Sequence, residues 1–160
     1  MIKKDYECEL DFNKDGFRCV GIASYTKGYR CGYVAIAKGS RLFDIPARKL
    51  ESLIKVHGGV TFDRILSNFP VVTEEPMRWV GFDCNQIYDA RDVSLLRLGG
   101  DPAIENFLKG MTFHANQKVR DKEFVEKQLL KMVNQLYQIE TRWNRKLEYG
   151  DKGGLLGPLC

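Results

Sequence analysis

The chain has no apolar run near the roughly 20 residues that a membrane-crossing helix needs, and Met1 to Tyr6 leads into charged residues rather than a signal peptide's apolar stretch. A protein of the cytoplasm, that of a bacterial host cell, is therefore expected, with no membrane partner. Its five cysteines, at positions 8, 19, 31, 84 and 160, include no CxxC pair, which argues against a disulfide framework or a zinc ribbon. Only two histidines are present, His57 and His114, too few for a His-rich metal centre, so no metal is expected. Lys38-Gly39-Ser40-Arg41 combines glycine, hydroxyl and two cations but lacks P-loop spacing, so NTP hydrolysis is not indicated. No motif calls for a cofactor.

A net charge of +4 is too small to demand extended nucleic acid as a partner. The charge is uneven, however. Between Lys27 and Lys55 stand Lys27, Arg30, Lys38, Arg41, Arg48, Lys49 and Lys55, against only Asp44 and Glu51. Such a window is either a solvated basic face or a local field for an anion.

With 160 residues, 44% of them hydrophobic, the chain is long enough for one well-filled core, expected over residues 1–149 with a glycine-rich tail at 150–160. Tyr6 to Phe12 alternates apolar and charged residues, Asn13-Lys14-Asp15-Gly16 supplies a turn, and Phe17 to Tyr25 is again strand-like. After Thr26-Lys27-Gly28, Tyr29 to Ala37 suits a third strand. Pro46 opens a short helical turn through Leu53, and Leu53 to Val56 reads as extended. The prolines between Asn68 and Pro76 mark a loop, and Met77 to Cys84 has the apolar density of a buried strand. Asp101-Pro102 introduces a short helix over Ala103 to Leu108, and His114 falls in a connector.

Val125, Leu129, Met132, Leu136, Ile139 and Trp143 recur at spacings of four and three, the signature of an amphipathic helix. Asp121 is its N-cap, and Arg142, Arg145 and Lys146 suit its C-terminal dipole. The expected fold is α+β: an antiparallel meander of about four to five strands packed against this long C-terminal helix. The stripe covers a sheet face; the other reading is a seam between copies in a homo-oligomer.

Two segments carry the polar residues of interest. His57-Gly58-Gly59-Val60-Thr61 places paired glycines among apolar residues, either for a tight turn or for a ligand approaching the backbone, with His57 and Thr61 as side-chain partners. Trp79-Val80-Gly81-Phe82-Asp83-Cys84 runs from a core strand into a polar stretch that includes Asp89. Cys84 is either a buried structural thiol or a nucleophile activated by His57. Tyr33 and Trp79 supply rings, and Lys38, Arg41 and Arg78 supply cations for an anion.

Gly32 to Gly39, Val56 to Phe62 and Arg78 to Cys84, in this order and followed by a charged C-terminal helix, resemble a group of small phage- and prophage-encoded proteins of unassigned function. That group carries an HGG-L-T motif and a W-W-x-G-F-D-C motif followed by a Gly-Asp pair. The resemblance covers roughly residues 30–140; Arg78 stands where the second tryptophan is usual, and Asp89 stands for the acidic member of the pair. It implies a phage accessory protein, by analogy one that sequesters a nucleotide signal of bacterial immunity. Three functional readings follow. The first is a non-enzymatic sponge for a small anionic nucleotide-like ligand, built from Tyr33, Lys38, Arg41, His57, Gly58, Gly59, Thr61, Arg78, Trp79, Asp83, Cys84 and Asp89. The second is an enzyme modifying that nucleotide through Cys84 or Asp83 with His57. The third is a protein-binding inhibitor or structural accessory.

Overall fold

Three strands follow one another in the first third of the chain: β1 (Tyr6–Lys14), β2 (Phe17–Ser24) and β3 (Arg30–Ile36). The computed structural model describes residues 5–96, 103, 106 and 117–149. Asp15 and Gly16 form the two-residue loop between β1 and β2, with φ of 50° and 84°, the positive pair that a type I′ hairpin requires. After β3 come a 3-10 turn at Arg41–Asp44, helix α1 (Ala47–Leu53), and strands β4 (Phe62–Leu66) and β5 (Met77–Asp83). A short parallel pair, β6 (Asp89–Ala90) and β7 (Lys118–Val119), precedes the long helix α2 (Lys122–Tyr149). The expected helix after Asp101-Pro102 and the tail at 150–160 fall almost wholly outside the described residues, although Ala103 and Asn106 are helical.

The five main strands form one antiparallel sheet in the order β1-β2-β3-β5-β4, so the fold is α+β, as its periodicities predict. The meander holds through β3; beyond it β5 pairs with β3, and β4 lies outside β5 at the edge. β4 is a strand that its composition does not announce, because Asp63 and Arg64 interrupt the apolar run. Of the stretch Leu53 to Val56 expected to be extended, Leu53 still belongs to α1, Ile54 is extended, and the segment Ile54 to Val56 joins no sheet. Its backbone is matched to α2 side chains instead: the Lys55 N–H donates to Gln135 Oε1 at 2.7 Å, and Gln135 Nε2 donates to the Lys55 carbonyl at 2.8 Å.

Both sheet faces are covered. On one side Val125, Leu129, Met132, Leu136 and Ile139 of α2 are buried against Val34, Ile36, Val80 and Phe82, with Trp143 packed at the margin. Asp121 caps the helix, its Oδ1 accepting the Phe124 N–H at 2.8 Å. Gly32 lets the two layers close: a Cβ there would lie 2.4 Å from the Phe82 ring and 3.0 Å from Leu129. On the opposite face Val20, Ile22, Tyr33, Ala35 and Trp79 are closed over by Phe69 and Val71 from the β4–β5 connection. Leu129→Ala is expected to cost about 2–5 kcal/mol through the lost contacts and the cavity left. Leu130→Ala, at a 39% exposed neighbour, should stay within about 0.5 kcal/mol. Urea unfolding of the two variants is the check, and equal midpoints would refute the burial of this stripe.

Candidate functional site

The His57-Gly58-Gly59 turn and the end of β5 meet at one end of the sheet. Gly58 and Gly59 have φ of 68° and 78°, and the Gly59 N–H donates to the Val56 carbonyl at 2.9 Å, closing the turn. A Cβ on Gly58 would fall 2.5 Å from the Gln86 amide carbon, so backbone and side-chain amide are in direct contact there. Gly59 has nothing within 4 Å of its Cβ position. The His57 N–H donates to Gln128 Oε1 of α2 at 3.0 Å, and its ring meets Phe124 edge-on at 5.0 Å. Gln128 and Gln135 are seven residues apart, two turns of one helix, and so hold successive parts of the Lys55–His57 segment.

Two carboxylates tie the segments together. Asp89 Oδ2 lies 2.7 Å from His57 Nε2 and accepts the Gln86 N–H at 2.9 Å, while Asp89 Oδ1 accepts from Arg120 Nε at 2.8 Å. Asp83 Oδ2 accepts from the Thr61 hydroxyl at 2.7 Å, and its Oδ1 accepts from the Asn85 N–H and Gln86 Nε2, each at 3.0 Å. Gln86 thus bonds to both carboxylates. Arg120 also stacks over the Phe124 ring, its guanidinium carbon 4.7 Å from the centroid.

Burial alone would push the Asp89 carboxyl up. The hydrogen bonds from His57, Arg120 and the Gln86 amide outweigh it and hold the group below the usual carboxylate range. Two groups beside it have no bond among the described residues: the terminal nitrogens of Arg120, which are donors, and His57 Nδ1, which is an acceptor in a neutral ring whose Nε2–H is given to Asp89. They lie against the same carboxylate and the same aromatic ring. The Arg120 guanidinium is the donor suited to an oxyanion.

Of the residues singled out from sequence, His57, Gly58, Gly59, Thr61, Asp83 and Asp89 are brought together. Four others are buried. Arg78 is 4% exposed, its guanidinium bonded to both oxygens of Asp63 at 2.8 and 2.7 Å and, through Nη1, to the carbonyls of Leu42, Phe43 and Ile45. It is not available to a phosphate. Trp79 is wholly buried and Tyr33 nearly so, and burial pushes the Tyr33 hydroxyl pKa up; neither ring is open for stacking. Cys84 is 3% exposed in the core beneath α2, where burial first, then nearby Asp89, raises its thiol pKa. That is the opposite of nucleophile activation.

Lys38 and Arg41 are exposed but sit beyond the other end of the strands. Cys31 pairs with Asp83 at the site end, while Ile36, two residues before Lys38, pairs with Arg78. Those five steps along β3 separate the ends by roughly 17 Å. Nor does the basic window form one field, since Arg30 is buried in ion pairs with Glu9 and Asp92. The site residues that sequence reading missed are Gln86, Arg120, Phe124 and Gln128. The seven-residue spacing of Gln128 and Gln135 was a usable signal; Arg120, next to the helix cap, carried none.

No protein-family model matches the chain, and no curated protein and no solved structure is significantly similar to it. Among the described residues no helix is long and apolar enough to cross a membrane, and no group of three or more His, Cys, Asp or Glu side chains could hold a metal ion.

Proposed function

We propose that the chain is a non-enzymatic binding protein for a small anionic, nucleotide-derived ligand, held at the end of the sheet where the His57 turn meets the Asp83–Asp89 loop. The observation that carries this reading is the Arg120 guanidinium, whose terminal nitrogens have no partner among the described residues and which Asp89 and Phe124 fix beside His57. In this reading Arg120, rather than Lys38, Arg41 or Arg78, meets the phosphate. The open backbone at Gly59 lets the ligand approach closely, and Asp83 and Asn85 face its sugar or base. The role of a sponge for a bacterial immune signal rests on the resemblance to phage-encoded proteins. The enzymatic alternative loses support with the burial of Cys84.

The test is a thermal-shift panel of cyclic dinucleotides, cyclic trinucleotides and ADP-ribose derivatives. A true ligand at about 100 times its dissociation constant adds roughly 2.7 kcal/mol of stability. That shift is expected to shrink as salt rises, to be lost in Arg120→Gln and to persist in Arg41→Ala. Ligand released by heating should be chemically intact. A panel without any shift, or one whose shift survives Arg120→Gln, would refute the site.

A further inference from the structure

Beyond this site, we propose that the loop between the two anchoring carboxylates is a preformed protein-docking tip, whose partner presents an apolar pocket edged by acidic side chains. Ile87 is 79% exposed and Tyr88 61% exposed at the tip, and Val119, on the β7 strand beside it, is 50% exposed. β6 and β7 place Ala90 opposite Val119. The Lys118 N–H donates to the Tyr88 carbonyl at 2.9 Å, and Gln117 Nε2 reaches the Ile87 carbonyl at 3.4 Å. Ile87 and Tyr88 thus stand exposed in the turn that leads into β6, and the Lys118–Tyr88 backbone bond brings the β7 strand that carries Val119 beside that turn.

The feet of the loop are fixed. Asp83 takes the Asn85 N–H and the Gln86 amide at one foot; Asp89 takes the Gln86 N–H, His57 and Arg120 at the other. The Asp89 N–H also donates back to the Gln86 carbonyl at 2.9 Å. A rigid loop that displays an aliphatic and a tyrosine side chain loses little conformational entropy on binding, the property that marks interface anchors. The Tyr88 hydroxyl has no partner among the described residues and is free to bond across an interface. Lys118 on β7 and Arg91, the residue after β6, are exposed and form no ion pair among the described residues. Their charge selects a carboxylate-edged pocket. Ile87 and Val119 stack on no base and bind no phosphate, so the surface fits a protein rather than a nucleic acid.

The full chain carrying benzoylphenylalanine at position 88, irradiated in bacterial cells, is expected to cross-link one protein that the same probe at 79% exposed Val72 does not capture. The cross-link should map to an apolar cleft bordered by Asp or Glu. Affinity of the purified pair should fall at least tenfold with Ile87→Ser, with Tyr88→Ser and with the double change Arg91→Glu, Lys118→Glu, all at exposed positions where folding is kept. Cross-linking only to a second copy, only to nucleic acid, or to nothing would overturn the proposal. So would a captured protein whose affinity ignores these substitutions. The exposed side chains of Ile87 and Tyr88 make no bond to the Arg120 guanidinium or the His57 ring, so Ile87→Ser and Tyr88→Ser should leave any nucleotide-induced thermal shift unchanged, and failure of one reading leaves the other standing.

Discussion

Replacing Arg78 with alanine is expected to destabilise the protein by about 3–5 kcal/mol, the usual cost of removing one partner of a buried ion pair. The side chains of Arg78 and Asp63 are 5% and 9% exposed, and truncation leaves the Asp63 carboxylate without its counter-charge and takes a donor from three carbonyl oxygens, of which only that of Leu42 keeps another among the described residues, the Ile45 N–H. Arg78→Lys should recover little, because an ammonium cannot reproduce the guanidinium fork on Asp63 and also reach the three carbonyls. Arg41→Ala, at an exposed position, should change stability by no more than about 0.5 kcal/mol. Urea unfolding with unchanged slope measures all three. An Arg78→Ala protein that kept wild-type stability but lost ligand binding would restore Arg78 to the ligand site.

This contrast locates what the sequence made legible. The periodicity of Val125, Leu129, Met132 and Leu136, and the alternation along β1, report burial on one face of an element, a local property that one-dimensional spacing encodes. Turn chemistry is equally local, as Asp15-Gly16 illustrates. A cation in a strand is different: Arg78 reads as an available charge until Asp63, fifteen residues away and diagonal to it across the β4–β5 pair, is known to neutralise it. Lys38 and Arg41 look close to His57 in the chain, yet β3 carries them to the far end of the sheet. Conversely Arg120, distant in sequence, reaches Asp89 because β7 pairs with β6. Pairing between separated strands decides which polar groups meet, and single-residue motifs do not contain it. The approach of the glycine turn to the β5 end followed from two legible facts, a turn flanked by apolar residues and a core strand ending in polar ones.

Asp89→Ala should be the most damaging substitution within the site itself. The Asp89 side chain is 1% exposed and holds His57, Arg120 and the Gln86 amide together, so its loss leaves a partly buried guanidinium without its counter-charge. A cost of about 3–5 kcal/mol is expected. Asp89→Asn keeps the shape and some of the hydrogen bonds, and should cost less. Acid provides an independent reading. The Asp89 carboxyl is held below its unfolded value, so the folded state binds this proton less readily than the unfolded chain. Its contribution is therefore complete above about pH 5 and is lost as pH falls through the unfolded value of about 4 towards the lower folded one. Asp92 acts in the same direction: burial alone would raise it, but bonds from Ser94 and Arg30 lower it, and it remains in either variant. The stability difference between wild type and Asp89→Asn should thus be largest near neutrality and shrink on acidification, while the Asp92 contribution, common to both proteins, cancels. Amide exchange should report the same event locally, with the Gln86 N–H losing protection in Asp89→Ala before the central strand β3 does. A difference between the two proteins that stays constant from pH 7 to pH 3 would mean that Asp89 is not held as a carboxylate by His57 and Arg120.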